Sequence, residues 1–161
     1  MALIRTEALQ PLSRQHHQGL LVSLLLKKGL DKNASIKMMR DFVLKFWLDE
    51  LHQHFHTEEL TLVPFSKKHP KLVPALQQML AEHQSMLLLV NRINNDATAD
   101  LFEPIESFAI ELDNHIRFEE RELFQELQET LSADELASLK HLLVDVPVYD
   151  FCLKYPDKFW D

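Results

Sequence analysis

Apolar residues recur at Leu9, Leu12, Leu20 and Leu24, then at Ile36, Met39, Val43, Trp47 and Leu51, and later at Leu72, Leu76, Met79 or Leu80, Met86 and Val90. Steps of three and four put side chains on one face of a helix, because 3.6 residues complete a turn. The pattern predicts a first helix over about 9–28, with Gly29 as its stop behind Lys27 and Lys28. Asn33 or Ser35 caps a second helix, which runs to about 63 and ends before Pro64. Pro64, Pro70 and Pro74 punctuate the link to a third helix over about 72–94, which Asn94, Asn95 and Asp96 break. A fourth helix over about 99–129 accepts Pro104 in its first turns, and Ser132 with Glu135 opens a short fifth to about 144. Residues 145–161 lose the period but hold Tyr149, Phe151, Tyr155, Phe159 and Trp160. The expectation is an all-α chain forming one domain over 1–161. Four long helices on short links make an antiparallel up-down-up-down four-helix bundle over about 9–130, followed by a short extra C-terminal helix and aromatic tail over 131–161.

Composition sharpens that expectation. A chain of 161 residues can bury one core. Only two glycines argue against strands joined by tight turns. A net charge of −8 disfavours a nucleic-acid partner and an anionic membrane surface, both of which need clustered Lys and Arg. The longest apolar run, 19–26, stops at Lys27 and is short of the roughly 20 residues a membrane span requires. Cys152 is the sole cysteine, which excludes an intrachain disulfide and a cysteine-based zinc site. Residues 1–10 have no apolar run leading to a cleavage site, so no signal peptide and a cytoplasmic location are expected.

The chemistry lies in the histidines. His16 stands midway between Leu12 and Leu20, His54 three residues after Leu51, His83 between Leu80 and Met86, and His115 three after Leu112. Each long helix thus carries one histidine in its apolar stripe. A lone histidine there is ordinarily a core residue with hydrogen-bonded nitrogens, but four unpaired buried imidazoles would cost about 1–3 kcal/mol apiece. A metal ion would satisfy one nitrogen on each ring and let the four converge. Glu58 follows His54 by four residues and Glu119 follows His115 by four. That spacing presents a nitrogen and an oxygen ligand on one helix face. The candidate ligands are His16, His54, Glu58, His83, His115 and Glu119. Imidazole and carboxylate without thiolate suit iron, manganese or zinc, and a bridged pair on a helical bundle suggests iron, with zinc or manganese as substitutes.

With these residues in place, the chain resembles the hemerythrin-like, or HHE cation-binding, family. The matching segments are Leu12-Ser-Arg-Gln-His16-His17, His54-Phe-His-Thr-Glu58-Glu59, Glu82-His83 and His115-Ile-Arg-Phe-Glu119-Glu120, within about residues 9–130. The resemblance implies an antiparallel four-helix bundle around a non-haem di-iron centre, with Glu58 and Glu119 bridging and two histidines on each of two Fe ions. It departs from the oxygen-carrying branch, which keeps a fifth histidine where Leu87 stands and spaces its last pair as H-x-x-x-x-D, where this chain has Glu119 and Glu120. What it implies is a protein that binds or senses O₂, NO or peroxide. A di-iron oxidase or peroxidase, or a regulatory adaptor with a structural or sensory metal site, are the alternatives.

Around the ligands, Glu50 is expected to accept from a ligand imidazole, with His17, Glu59 and Glu120 as further outer candidates; Glu59 or Glu120 could also replace its neighbour as ligand. His52, His56 and His69 are expected to be solvated, and His141 lacks a carboxylate partner at ligand spacing. Trp47, Leu51, Leu80, Phe108 and Phe118 are expected to wall the site. The aromatic tail either caps the bundle end or forms an interface for a second copy or a partner protein.

Overall fold

The computed structural model describes residues 4–95 and 100–161. Among the described residues every regular element is helical. Helix α1 spans Gln10–Asp31, and α2, Ile36–Phe46, continues through a π-helical turn at Trp47–Leu51 into α3, His52–Leu62. Two short 3₁₀ turns, Val63–Lys67 and Pro70–Leu72, lead to α4, Val73–Asn95. Helix α5, Phe102–Phe118, passes through a second π-helical turn, Glu119–Leu123, into α6, Phe124–Thr130. Then come α7, Ala133–Leu143, and the single turn α8, Phe151–Lys154. The break at Asp96 and the expected helix start near Ala99 lie outside the described residues.

Local chemistry explains most boundaries. Ser35 accepts from the Met38 backbone N–H at 3.3 Å and opens α2. The Ser132–Glu135 capping box is formed in both directions at the start of α7. Gly29 is not a stop, because α1 continues to Asp31 and the chain turns at Asn33, whose φ of 55° is left-handed. Gly29 serves packing instead: a Cβ there would stand 2.7 Å from the Phe159 ring and 2.8 Å from Met39 Sδ.

The buried face of α1 is Leu12, His16, Gly19, Val22, Ser23, Leu26 and Leu30, while Leu24 is 54 % exposed. From Leu12 through His16 and Leu20 to Leu24 the expected stripe steps by four, and each step of four overshoots a turn by about 40° and drifts off the core. Trp47 is likewise only partly buried, and Phe46 takes the core position. Leu80 is 37 % exposed and belongs to the surface rather than the wall of a site.

Contacts between neighbouring helices run in opposite numerical senses. His16 meets Glu120 while Ser23 Oγ donates to the Ala109 carbonyl at 2.6 Å. Glu59 meets His83 while Arg40 donates to the Ile93 carbonyl at 3.0 Å.

Two apolar clusters form the core. One gathers Leu9, Leu12, Leu62, Leu76, Met79, Phe124 and Leu139; the other is built on Leu26, Phe42, Phe46, Val90, Phe108 and Leu112. The aromatic tail joins the second cluster: Phe151, Tyr155, Phe159 and Trp160 all pack around Phe42, with ring centroids 4.8–5.6 Å away. Between the clusters lies a buried polar layer.

Candidate metal centre

Six residues make that layer. His16 comes from α1, His54 and Glu58 from α3, His83 from α4, His115 from the end of α5, and Glu119 from the second π-helical turn. Their exposure runs from 0 to 4 %, so water does not compensate their polarity. All four rings turn Nε2 inward. The Nε2 atoms of His16 and His54 stand 3.1 Å apart and lie 3.3 and 2.9 Å from Glu58 Oε1. His16 Nε2 is also 3.0 Å from Glu119 Oε2. On the other side, His83 Nε2 is 3.2 Å from Glu58 Oε2, and His115 Nε2 is 2.9 Å from Glu119 Oε1. Each glutamate therefore offers one oxygen to each histidine pair. The six residues fall into two overlapping donor sets, His16–His54–Glu58–Glu119 and His83–His115–Glu58–Glu119, each with its donor atoms within 4.8 Å of one another.

The outward nitrogens decide what the inward ones can do. His16 Nδ1 faces Glu120 at 2.6 Å, His83 Nδ1 faces Glu59 at 2.9 Å, and His115 Nδ1 faces Glu82 at 2.8 Å. A carboxylate only accepts, so these Nδ1 atoms carry the proton. His54 Nδ1 faces Gln15 Oε1 at 2.7 Å, and the Gln15 amide nitrogen donates to the Pro147 carbonyl at 2.8 Å, which fixes the amide's orientation. Each outer acceptor is the sequence neighbour of an inner residue on another helix. Gln15 adjoins His16, Glu59 adjoins Glu58, Glu82 adjoins His83, and Glu120 adjoins Glu119. The outer bonds thus tie the helices into a closed ring.

With neutral rings and protons outward, four imidazole lone pairs and four carboxylate oxygens converge with no donor among them. Glu58 Oε2, His83 Nε2, His115 Nε2 and both Glu119 oxygens have no hydrogen-bond partner. Such an all-acceptor layer calls for cations, either protons or metal ions. The spacing fits metal ions: bonds of about 2.0–2.1 Å put tetrahedral ligand atoms about 3.4 Å apart and six-coordinate neighbours about 2.9 Å apart. The nearest cross-residue separations here lie between 2.9 and 3.5 Å. Without metal, protons serve. Burial pulls the His83 imidazolium down, but Glu119 and Glu58 outweigh it and raise the group to about 10. Burial likewise opposes His115, which Glu119 and Glu82 raise to about 9, and His16 is raised well above its usual value by Glu119, Glu120 and Glu58. Burial and the neighbouring Glu119 push the Glu58 carboxyl up, and the histidines overcome both to hold it near 2.

A cavity of about 10 Å³ adjoins the layer, lined by His16, His54 and His115 and walled by Gly19, Ile116 and Tyr149. It has room for about one water-sized molecule.

Several residues stand elsewhere than their spacing suggested. Glu50 touches no ligand imidazole: its Oε1 accepts from the Phe151 backbone N–H at 2.9 Å, so it holds the tail. It lies in the first π-helical turn, one turn before His54, and meets the tail there instead of the layer. His17 is exposed and lies outside the layer. Glu59 and Glu120 bond the outer ring nitrogens, while the inner oxygens belong to Glu58 and Glu119. His52, His56 and His141 are exposed, but His69 is half-buried and paired with Glu135 at 2.8 Å. Gln15 and Glu82 were not anticipated as outer partners. Only their adjacency to His16 and His83 marks them, and the histidines they serve lie on other helices.

Fold and donor set together define a helical protein with a buried imidazole–carboxylate site compatible with metal cations. The family model described as the hemerythrin HHE cation binding domain matches residues 11–127, and the chain belongs to that family. No curated protein and no solved structure matches it. Among the described residues no helix is long and apolar enough to cross a membrane.

Proposed function

We propose that the chain is a non-haem di-iron protein that binds or senses a small molecule, O₂, NO or peroxide, in the cytoplasm. The observation that carries this reading is the pair of overlapping, fully buried donor sets that share Glu58 and Glu119. In this reading His16 and His54 would hold one ion and His83 and His115 the other, with Glu58 and Glu119 offering an oxygen to each. Zinc or manganese would fit the same nitrogen and oxygen donors, and the bridged pair favours iron. The opposite senses of the helix contacts support a single domain built as an up-down-up-down four-helix bundle with the tail as its cap.

The iron pair, when bound, would supply open coordination positions and redox chemistry. The chain's own residues would hold the ions, keep each imidazole in one tautomer through its Nδ1–H bond, and exclude bulk water. The cavity of about 10 Å³ beside three of the histidines supports a diatomic or similarly small ligand. Its apolar wall, with Phe46, Leu51 and Ile116, favours a neutral guest over an ion.

The test is metal content and the optical spectrum of anaerobic and air-exposed protein from iron-supplemented cells. About two irons per chain are expected, with a charge-transfer band that responds to O₂, NO or peroxide. Metal-free protein from such cells would sink the reading. Steady peroxide turnover lost on His54→Ala would instead establish an oxidase or peroxidase.

A further inference from the structure

The four outer bonds are chemically unequal. His83 and His115 each donate Nδ1–H to a carboxylate, Glu59 and Glu82, and among the described residues neither carboxylate pairs with a Lys or Arg. His16 also has a carboxylate, Glu120, but Arg5 Nη2 stands 3.1 Å from it and donates to its backbone carbonyl as well. His54 has only the neutral amide of Gln15, at 2.7 Å. Behind one histidine pair lie two uncompensated negative charges; behind the other lie one carboxylate, one guanidinium and one amide.

We propose that the two cation positions differ in affinity, the His83–His115 position filling first and the His16–His54 position last, with Gln15 and Arg5 setting the difference. The inference rests on the two-ion reading of the centre. An imidazole whose N–H is bound to a carboxylate gains electron density at its other nitrogen and becomes a stronger ligand. Glu58 and Glu119 each present one oxygen to each histidine pair, so the outer bonds are what distinguish the two positions. Solvent screens Glu59 and Glu82 in part, yet leaves each one's charge towards its imidazole uncompensated. The weaker position is also the one fastened to the tail, since Gln15 both orients His54 and donates to the Pro147 carbonyl at 2.8 Å. Loss of metal is therefore expected to begin on the side of the layer that the C-terminal segment covers.

The experiment is an anaerobic calorimetric titration of the metal-free full chain with Fe²⁺. Two steps are expected, separated by about tenfold or more, the scale on which outer partners alter metal affinity. Glu82→Gln should weaken the first step by about 10–100-fold and bring the two together. Gln15→Glu should tighten the second step. Should that variant fold poorly, because it loses the Pro147 contact, Arg5→Gln tests the same point by freeing the Glu120 charge. Two ions entering wild type with equal affinity, or a Glu82→Gln first step unchanged from wild type, overturns the proposal and leaves the di-metal centre standing. Binding of one ion only, or of none, overturns the di-metal centre itself.

Discussion

An imidazole has two nitrogens, and in this protein the outward one is committed before the inward one can act. Glu120, Glu59 and Glu82 accept the Nδ1–H bonds of His16, His83 and His115, and Gln15 Oε1 accepts that of His54. The pH dependence of the metal-free protein follows. His83 and His115 are held up to about 10 and about 9 from an ordinary value of 6.5, so between those limits the folded chain binds more protons than the unfolded one. Their stabilisation is full below 6.5 and lost as pH rises towards 10. Glu58, lowered from 4.5 to about 2, acts in the opposite sense, stabilising above 4.5 and ceasing to do so as pH falls towards 2. Urea denaturation of chelator-treated protein should therefore find maximal stability between about pH 4.5 and 6.5. A steady rise through pH 8 would contradict this account. The inner residues were legible because histidine and glutamate on an apolar stripe are conspicuous. Gln15 and Glu82 were not, since each acts on a ring carried by a neighbouring helix.

At the scale of elements, the two π-helical turns solve a register problem. Phe46, Glu50, His54, Glu58 and Leu62 are all buried at spacings of four, as are His115, Glu119, Leu123 and Leu127. In an unbroken α-helix the four steps of the first series would drift about 160° around the axis and the three of the second about 120°. A π turn takes in one extra residue and restores the face. The first of them aims Glu50 at the tail, where burial pushes its carboxyl up to about 7 against the backbone N–H groups of Phe151 and Asp150. A raised carboxyl stabilises below 4.5 and loses that contribution as pH rises through 7. Glu50→Gln keeps an acceptor oxygen for Phe151 without the charge, so its Tm should fall less than wild type's between pH 5 and pH 8. An equal fall would assign the pH dependence elsewhere. Gly29→Ala tests the seat of the tail on α1. The added methyl meets Phe159 and Met39, an overpacking cost of about 1–3 kcal/mol against a helix-propensity gain of about 1 kcal/mol. Thermal unfolding should shift down, and a higher Tm would mean that the tail is not seated tightly there.

For the whole molecule, a polar layer sits between two apolar clusters, so cation binding and folding are linked. Metal that binds only the folded chain stabilises it by RT ln(1 + [L]/Kd), about 2.7 kcal/mol at a hundred times Kd. Adding Fe²⁺ anaerobically to metal-free protein should raise Tm in a concentration-dependent way, and an unchanged Tm would deny the linkage. The same view clarifies the tail. Its five aromatics were visible in the sequence, but not their destination: Phe151, Tyr155, Phe159 and Trp160 are buried around Phe42, while Val148 and Leu153 are 75 and 81 % exposed. By itself the sequence determined the helical class and the cap at Ser132, narrowed the α2 cap to Asn33 or Ser35, and marked the six residues that the layer gathers, because all of these follow from local periodicity and side-chain chemistry. Only the tertiary structure decided the π-helical resets, the ring of outer bonds, the role of Glu50 and the inequality of the two histidine pairs. Each of those depends on which helix lies beside which, and a register shift that brings distant residues face to face leaves no trace in the spacing of either helix alone.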